Sequence, residues 1–126
     1  MDSLLLQDWV TIANSVQATG ATPTLTQGAT GYLDVSEFQD LVFYFDAKEV
    51  TNPTKILYQT SPTAEDSDFL TMLTIAPPAG IGAVQQTNTV LGKYSLVPPA
   101  KYVRWLCSGT DYYCTFRIWI AGYRVP

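Results

Sequence analysis

A length of 126 residues bounds the chain to one domain, large enough to bury a single core without staples. Hydrophobic residues at 47% and charged residues at only 14% exclude a disordered polymer. A net charge of −4 argues against a nucleic-acid binder, whose affinity rests on Lys and Arg contacts to phosphate, while a surface so poor in charge suits burial against another subunit.

The chain opens with Asp2 ahead of Leu4, Leu5, Leu6 and Trp9. This apolar run is too short and wrongly charged for a secretion signal, and no run approaches the ~18–20 apolar residues of a membrane span. Synthesis and folding in a cytoplasm fit best. So large an apolar load at a chain end would fray unless it were docked. Two readings follow: an edge strand of the protein's own sheet, or an arm that docks on a neighbouring subunit. Residues 14–28, rich in Thr, Ala, Gln and Gly, read as a mobile loop. The expected organisation is therefore residues 1–30 as arm or edge strand with that loop, and residues 31–126 as a β domain.

Prolines and glycines cut the rest into short apolar runs, as in all-β domains. Strands are expected at 7–12, 31–35, 41–50, 55–60, 69–75, 83–91, 101–107 and 113–123. In the third of these, Leu41, Phe43, Phe45 and Ala47 share one face, and Val42, Tyr44, Asp46 and Lys48 the other. The second face meets solvent or a polar partner. Asn52-Pro53, Ser61-Pro62, Pro77-Pro78 and Pro98-Pro99 mark corners, since proline lacks a ladder donor. Residues 36–40 hint at one helical turn with Ser36 as its N-cap. About eight strands and no helix predict an antiparallel two-sheet sandwich resembling a jelly roll, with a closed barrel as the alternative.

The last two strands sort cleanly by face. Val103, Trp105 and Cys107 lie on one side of the first, and Cys114, Phe116, Ile118 and Ile120 on one side of the second. A hairpin turning over Gly109 would set Cys107 opposite Cys114, Trp105 opposite Phe116 and Val103 opposite Ile118. Directly opposed cysteines fall within disulfide range. A disulfide and a pair of reduced, buried thiols are both open readings. The reverse face of such a hairpin would pair Tyr102 with Trp119 and Arg104 with Arg117. Like charges directly opposite cost stability, so a compensating carboxylate is needed. Asp46 or Glu49 of the same domain, an acid on a neighbouring subunit, or an anionic ligand would each serve. The aromatic and cationic set Tyr102, Arg104, Arg117 and Trp119, with Leu4, Leu5, Leu6 and Trp9, makes up the expected contact residues.

Catalytic chemistry is sparse. Without histidine, Ser-His-Asp and Cys-His nucleophilic systems cannot form, and two cysteines alone leave a zinc site short of ligands. No GxSxG, P-loop or GxGxxG pattern occurs. Carboxylates sufficient for a glycosidase remain, but their number makes chance pairs common. Glu65-Asp66-Ser67-Asp68 lacks the spacing and glycine of a calcium loop and reads as a solvated turn. No enzyme activity, cofactor or metal is expected.

Three segments carry a family likeness: Tyr32-Leu33-Asp34-Val35-Ser36 running into Leu41-Val42-Phe43-Tyr44-Phe45; Tyr58-Gln59-Thr60-Ser61-Pro62 with Asp66 and Phe69; and Tyr102-Val103-Arg104-Trp105 with Thr115-Phe116-Arg117-Ile118-Trp119-Ile120. Together, over residues 31–121, they resemble small all-β virion proteins of tailed bacteriophages, head decoration proteins among them. The resemblance implies a rigid scaffold with an attachment face, set as a homo-oligomer, commonly a trimer, on a shell of major capsid protein. The location implied is the virion, assembled in the host cytoplasm, with no nucleic-acid or membrane partner. The strand–QTSP–strand pattern also occurs in discoidin-like sandwiches that bind sugars. A carbohydrate-binding module of a fibre or adhesion protein is thus the alternative, with glycan as its partner.

Overall fold

A computed structural model describes residues 2–15, 24–51, 54–109 and 111–124. The strands are β1 Asp2–Ser15, β2 Thr24–Thr26, β3 Leu33–Asp34, β4 Asp40–Val50, β5 Lys55–Ser61, β6 Leu70–Ile75, β7 Gly80–Gly92, β8 Tyr102–Ser108 and β9 Asp111–Tyr123. Single 3-10 turns lie at Ala29–Gly31 and Asp66–Asp68. Two antiparallel sheets form, one in the order β1-β9-β4-β7, the other β2-β8-β5-β6 with β3 also on β8. Neither closes into a barrel.

The pairings nest. β5 pairs with β6, β4 with β7, β2 and β3 with β8, and β1 with β9, as if the chain were doubled back on itself at the β5–β6 turn. Rolling that ribbon brings β9 onto β4 and β8 onto β5. This doubled and rolled ribbon is the jelly roll.

Alternation builds the core. Leu41, Phe43, Phe45 and Ala47 of β4 are buried, facing Ile56 and Tyr58 of β5. Phe43 stacks on Tyr58 at 4.3 Å between ring centroids, and Trp105 meets Phe116 edge-on at 5.0 Å. Each fully buried aromatic or branched side chain contributes about 1.5–3 kcal/mol. The Tyr58 hydroxyl alone is out of place there: it is buried and has no hydrogen-bond partner among the described residues.

Two local expectations need correction. The strands β8 and β9 are not a hairpin: β8 lies in the five-stranded sheet and β9 in the four-stranded one. The chain crosses between sheets near Gly109, whose φ of +151° is readily adopted only by glycine. The expected Trp105–Phe116 contact forms all the same, but through the core rather than along a ladder. An alternating strand pair presents its apolar faces to each other in such an arch just as it would side by side in a hairpin. Ser36, in turn, caps no helix. Residues 36–37 form a bare turn fixed by Asp34, whose Oδ1 accepts from the Ser36 amide at 3.0 Å and hydroxyl at 2.6 Å. These bonds hold the Asp34 carboxyl below its ordinary pKa.

Strand β1 is the outer strand of the four-stranded sheet, and β2 belongs to the five-stranded one. Residues 2–15 and 24–26 are thus part of the sandwich itself. Of the loop expected at 14–28, residues 16–23 fall outside the described residues, as does the Asn52-Pro53 corner.

Candidate functional site

The sandwich has two outer faces, and the expected contact residues divide between them. On the five-stranded sheet Arg104 is only 4% exposed. Its Nε donates to Gln59 Oε1 at 2.8 Å, and its Nη1 to Tyr32 Oη at 2.8 Å and to Asp66 at 2.6 Å. The guanidinium lies 3.9 Å from the centroid of Phe69, and Tyr32 packs edge-on against Phe69 at 4.9 Å. These partners, all from its own domain, engage its Nε and Nη1. Arg104 ties the segment before β3 and the 3-10 turn after β5 down onto the sheet, covering this part of the face. The 3-10 turn is further held by Thr63 Oγ1 donating to Asp68 at 2.6 Å. Tyr102, half-buried, sits at the end of the same strand with Lys101 Nζ 5.4 Å from its ring.

The four-stranded sheet presents a different surface. Outward residues register in rows across the strands. One row runs Leu5, Trp119, Tyr44, Asn88 from β1 to β7. The next contains Arg117, Asp46 and Gln86. Asp46 is 4% exposed, accepting from Arg117 Nη2 at 2.8 Å and from Gln86 Nε2 at 2.8 Å. The Trp9 ring closes this row from the β1 side, with Arg117 at 4.7 Å and Lys48 at 4.3 Å from its centroid. Cation–π contacts of this kind help to fix the orientation of the indole. Ser3, Tyr44, Trp119, Ile120 and Ala121 line a shallow depression of about 230 Å³. Leu5 and Val90, at 38% and 68% exposure, flank it with apolar surface.

Leu5, Trp9, Arg117 and Trp119 are therefore brought together on one face. Arg104 and Tyr102 stand on the opposite side of the molecule. The Arg104–Arg117 opposition expected from a hairpin does not exist, because the two strands lie in different sheets. Asp46 is the partner of Arg117, as one of the expected options had it. Asp66 rather than Asp46 or Glu49 serves Arg104. Leu6 is buried, and Leu4 is partly buried against the core. Alternation along β1 sets this pattern: with Leu5 turned outward, Leu4 and Leu6 share the inner face. Tyr44, Gln86, Asn88 and Val90 complete the face. Of these only Tyr44 carried a sequence signal, as the outward aromatic of β4.

Cys107 and Cys114 are both free thiols, fully buried, one in each sheet. As members of different sheets they are not the ladder partners that a hairpin would make them. Burial pushes both thiols from 9.0 to about 12, with proximity to Cys107 adding to the effect at Cys114. They act as small apolar side chains. Among the described residues no group of three or more His, Cys, Asp or Glu is placed to hold a metal, and no helix is long and apolar enough to cross a membrane.

No family model and no curated protein matches the sequence. Solved structures do match in fold. VP2 of infectious bursal disease virus, in a subviral particle, superimposes with a TM-score of 0.54 at 12% identity, covering 97% of this chain and 32% of VP2. The Gx strain structure of the same virus gives 0.50 at 11% identity, covering 94% and 30%. The K2 cleaved adhesin domain of Lys-gingipain gives 0.48 at 15% identity, covering 95% of this chain and 87% of that domain. This chain spans about a third of the viral chains it matches. At such identities the likeness is one of fold: a jelly-roll sandwich of a kind also found in a protein that builds a viral particle.

Proposed function

We propose that the chain is a non-enzymatic structural subunit of a virion, an accessory capsid or decoration protein of the tailed-bacteriophage type. It stabilises a shell by sharing buried surface with copies of itself and with a major capsid protein. Assembly takes place in the host cytoplasm, and neither nucleic acid nor membrane is a partner. The observation that carries this reading is the outer face of the four-stranded sheet. Leu5, Trp9, Trp119, Tyr44 and Val90 surround an internally neutralised Arg117–Asp46 pair, and the described loops leave them open to a partner. Aromatic residues with few free charges are what interface cores enrich. The fold likeness to VP2 across nearly the whole chain supports the reading further.

Light scattering and co-sedimentation with purified shells test it. The wild-type chain is expected to bind shells, and Trp119→Ala or Trp9→Ala to weaken binding tenfold or more, as truncation of a buried aromatic anchor does (~2 kcal/mol). A folded chain that never binds shells refutes the reading.

One observation favours the second reading, a carbohydrate-binding module of a fibre or adhesion protein. Tyr44 and Trp119 line a shallow depression beside the Ser3 hydroxyl, an arrangement on which a sugar ring can stack. A glycan-array signal that vanishes with Tyr44→Ala while the fold persists would favour it over the shell subunit.

A further inference from the structure

Each sheet of an open sandwich ends in strands with unpaired backbone groups, and native proteins blunt these edges with short length, bulges, charges or proline. Three of the edges here follow that rule. Strand β1 is long but carries Asp2 and Asp8 and shifts register twice, between Leu5 and Gln7 and between Gln7 and Val10. Strands β2 and β3 have three and two residues. Strand β6 has six residues and its own register shift. Strand β7 is the exception. It runs thirteen residues, and from Phe69 to Gly92 the sequence has no charge at all. Its one irregularity is confined to the first few residues, where Gly82 takes a φ of +113°. Residues 85–92 then pair with 40–47 of β4 in unbroken register, and no other described strand lies on the far edge.

We propose that residues 85–91 of β7 pair antiparallel with the same segment of a second copy of this chain, about a two-fold axis at Asn88. The sequence Thr87-Asn88-Thr89 reads the same in both directions. A two-fold through Asn88 therefore sets Thr87 against Thr89 of the second copy, and Thr89 against Thr87, on one face. On the other face it sets Asn88 against Asn88 and Gln86 against Val90. Thr–Thr pairs and stacked Asn amides are favourable cross-strand neighbours. An isologous contact must tolerate every residue meeting its symmetry mate. Copies of net charge −4 repel, and an uncharged strand is where that repulsion is least. Asp46, the nearest acid on β4, is already neutralised by Arg117 and Gln86.

The area suffices. Seven residues at ~3.4 Å each extend ~24 Å, along a side two sheets thick. The β6 edge stands beside β7 there, because β5 faces β4 through the Tyr58–Phe43 stack. Pairing covers about 1,000 Å² in total, near the lower bound for a specific interface. A dimer with micromolar Kd is expected, with the row Leu5, Trp119, Tyr44, Asn88 continuing into its mirror on the second copy as one eight-stranded sheet.

Sedimentation velocity of the full chain from low to high micromolar concentration tests this, with hydrogen exchange followed in parallel. The expected result is a monomer–dimer equilibrium with residues 85–91 protected as the dimer fills. Asn88→Lys, which sets two cations against each other on the axis, weakens the dimer about tenfold or more. Val90→Lys is a second, independent break at an exposed position. Asp8→Lys on the β1 edge leaves the dimer intact. A monomer at every concentration overturns the proposal, and so does a dimer that survives both β7 variants or is lost equally in Asp8→Lys. The inference rests on the strand edge, not on shell attachment. Monomeric Asn88→Lys that still binds shells leaves the proposed function standing, whereas a β7 dimer that ignores shells removes that function alone.

Discussion

Each outer face of the sandwich holds one arginine–aspartate pair, and the two pairs bury opposite charges. On the five-stranded sheet the cation is inside: the Arg104 side chain is 4% exposed and Asp66 81%. On the four-stranded sheet the anion is inside, with Asp46 at 6% and Arg117 at 31%. Removing the exposed partner of such a pair strands a buried charge, whereas removing the buried one releases its partner to water. The difference teaches that an arginine's exposure does not rank its importance. What matters is what it leaves behind.

The largest expected effect is accordingly at the more exposed arginine. Arg117→Met leaves Asp46 with Gln86 alone and is expected to cost about 3 kcal/mol. Adding Asp46→Asn should recover most of that loss, a coupling that denaturant titration of the four-member cycle measures directly. Arg104→Met frees Asp66 to solvent but orphans Gln59 and thins the packing on Phe69, for about 2 kcal/mol. Since the two sites lie on opposite faces, the double Arg104→Met/Arg117→Met variant should be additive within about 0.5 kcal/mol. Strong coupling would mean that the faces are not independent.

Smaller effects concern the core that the faces share. Tyr58→Phe removes a buried hydroxyl without a partner and should raise stability by up to about 1 kcal/mol. The thiols provide a pH readout. Folded Cys107 and Cys114 ionise only near pH 12, while unfolded cysteine loses its proton near 9. Between those values the unfolded chain binds fewer protons, so stability falls as pH rises from about 9 towards 12. At pH 8 both thiols should be silent to a water-soluble disulfide reagent until denaturant is added. Rapid labelling of the folded chain would contradict their burial.

Much of this architecture was legible in the residues. Apolar alternation placed β4, β5, β6, β8 and β9 to within a residue or two, since each has one face in the core. What alternation does not encode is whether consecutive strands share a sheet. Trp105 and Phe116 satisfy hairpin and arch alike, and the distinction rests on the connection after β8, where Gly109 takes a φ of +151°. Strand β2, with only Thr24, Leu25 and Thr26, has too few residues to show a period and is held by its pairing with β8. The candidate face was half legible. Leu5, Trp9, Arg117 and Trp119 were named as contacts, yet their meeting on one surface depends on β1 lying beside β9, a pairing of sequence-distant segments. Asp66 was read only as part of a solvated turn, because its tie to Arg104 exists only once that turn folds back over the sheet.

The nested ribbon has a kinetic corollary. Closure of the short β5–β6 loop costs little chain entropy, whereas joining Asp2 to Gly122 brings together nearly opposite ends of the polypeptide. Folding should zip outward from the centre of the sequence, on the millisecond-to-second scale of non-local β topologies. The seam between the first and last strands is then the final one to close, so the face bearing Trp9 and Trp119 comes into being only when the rest of the molecule is already in place.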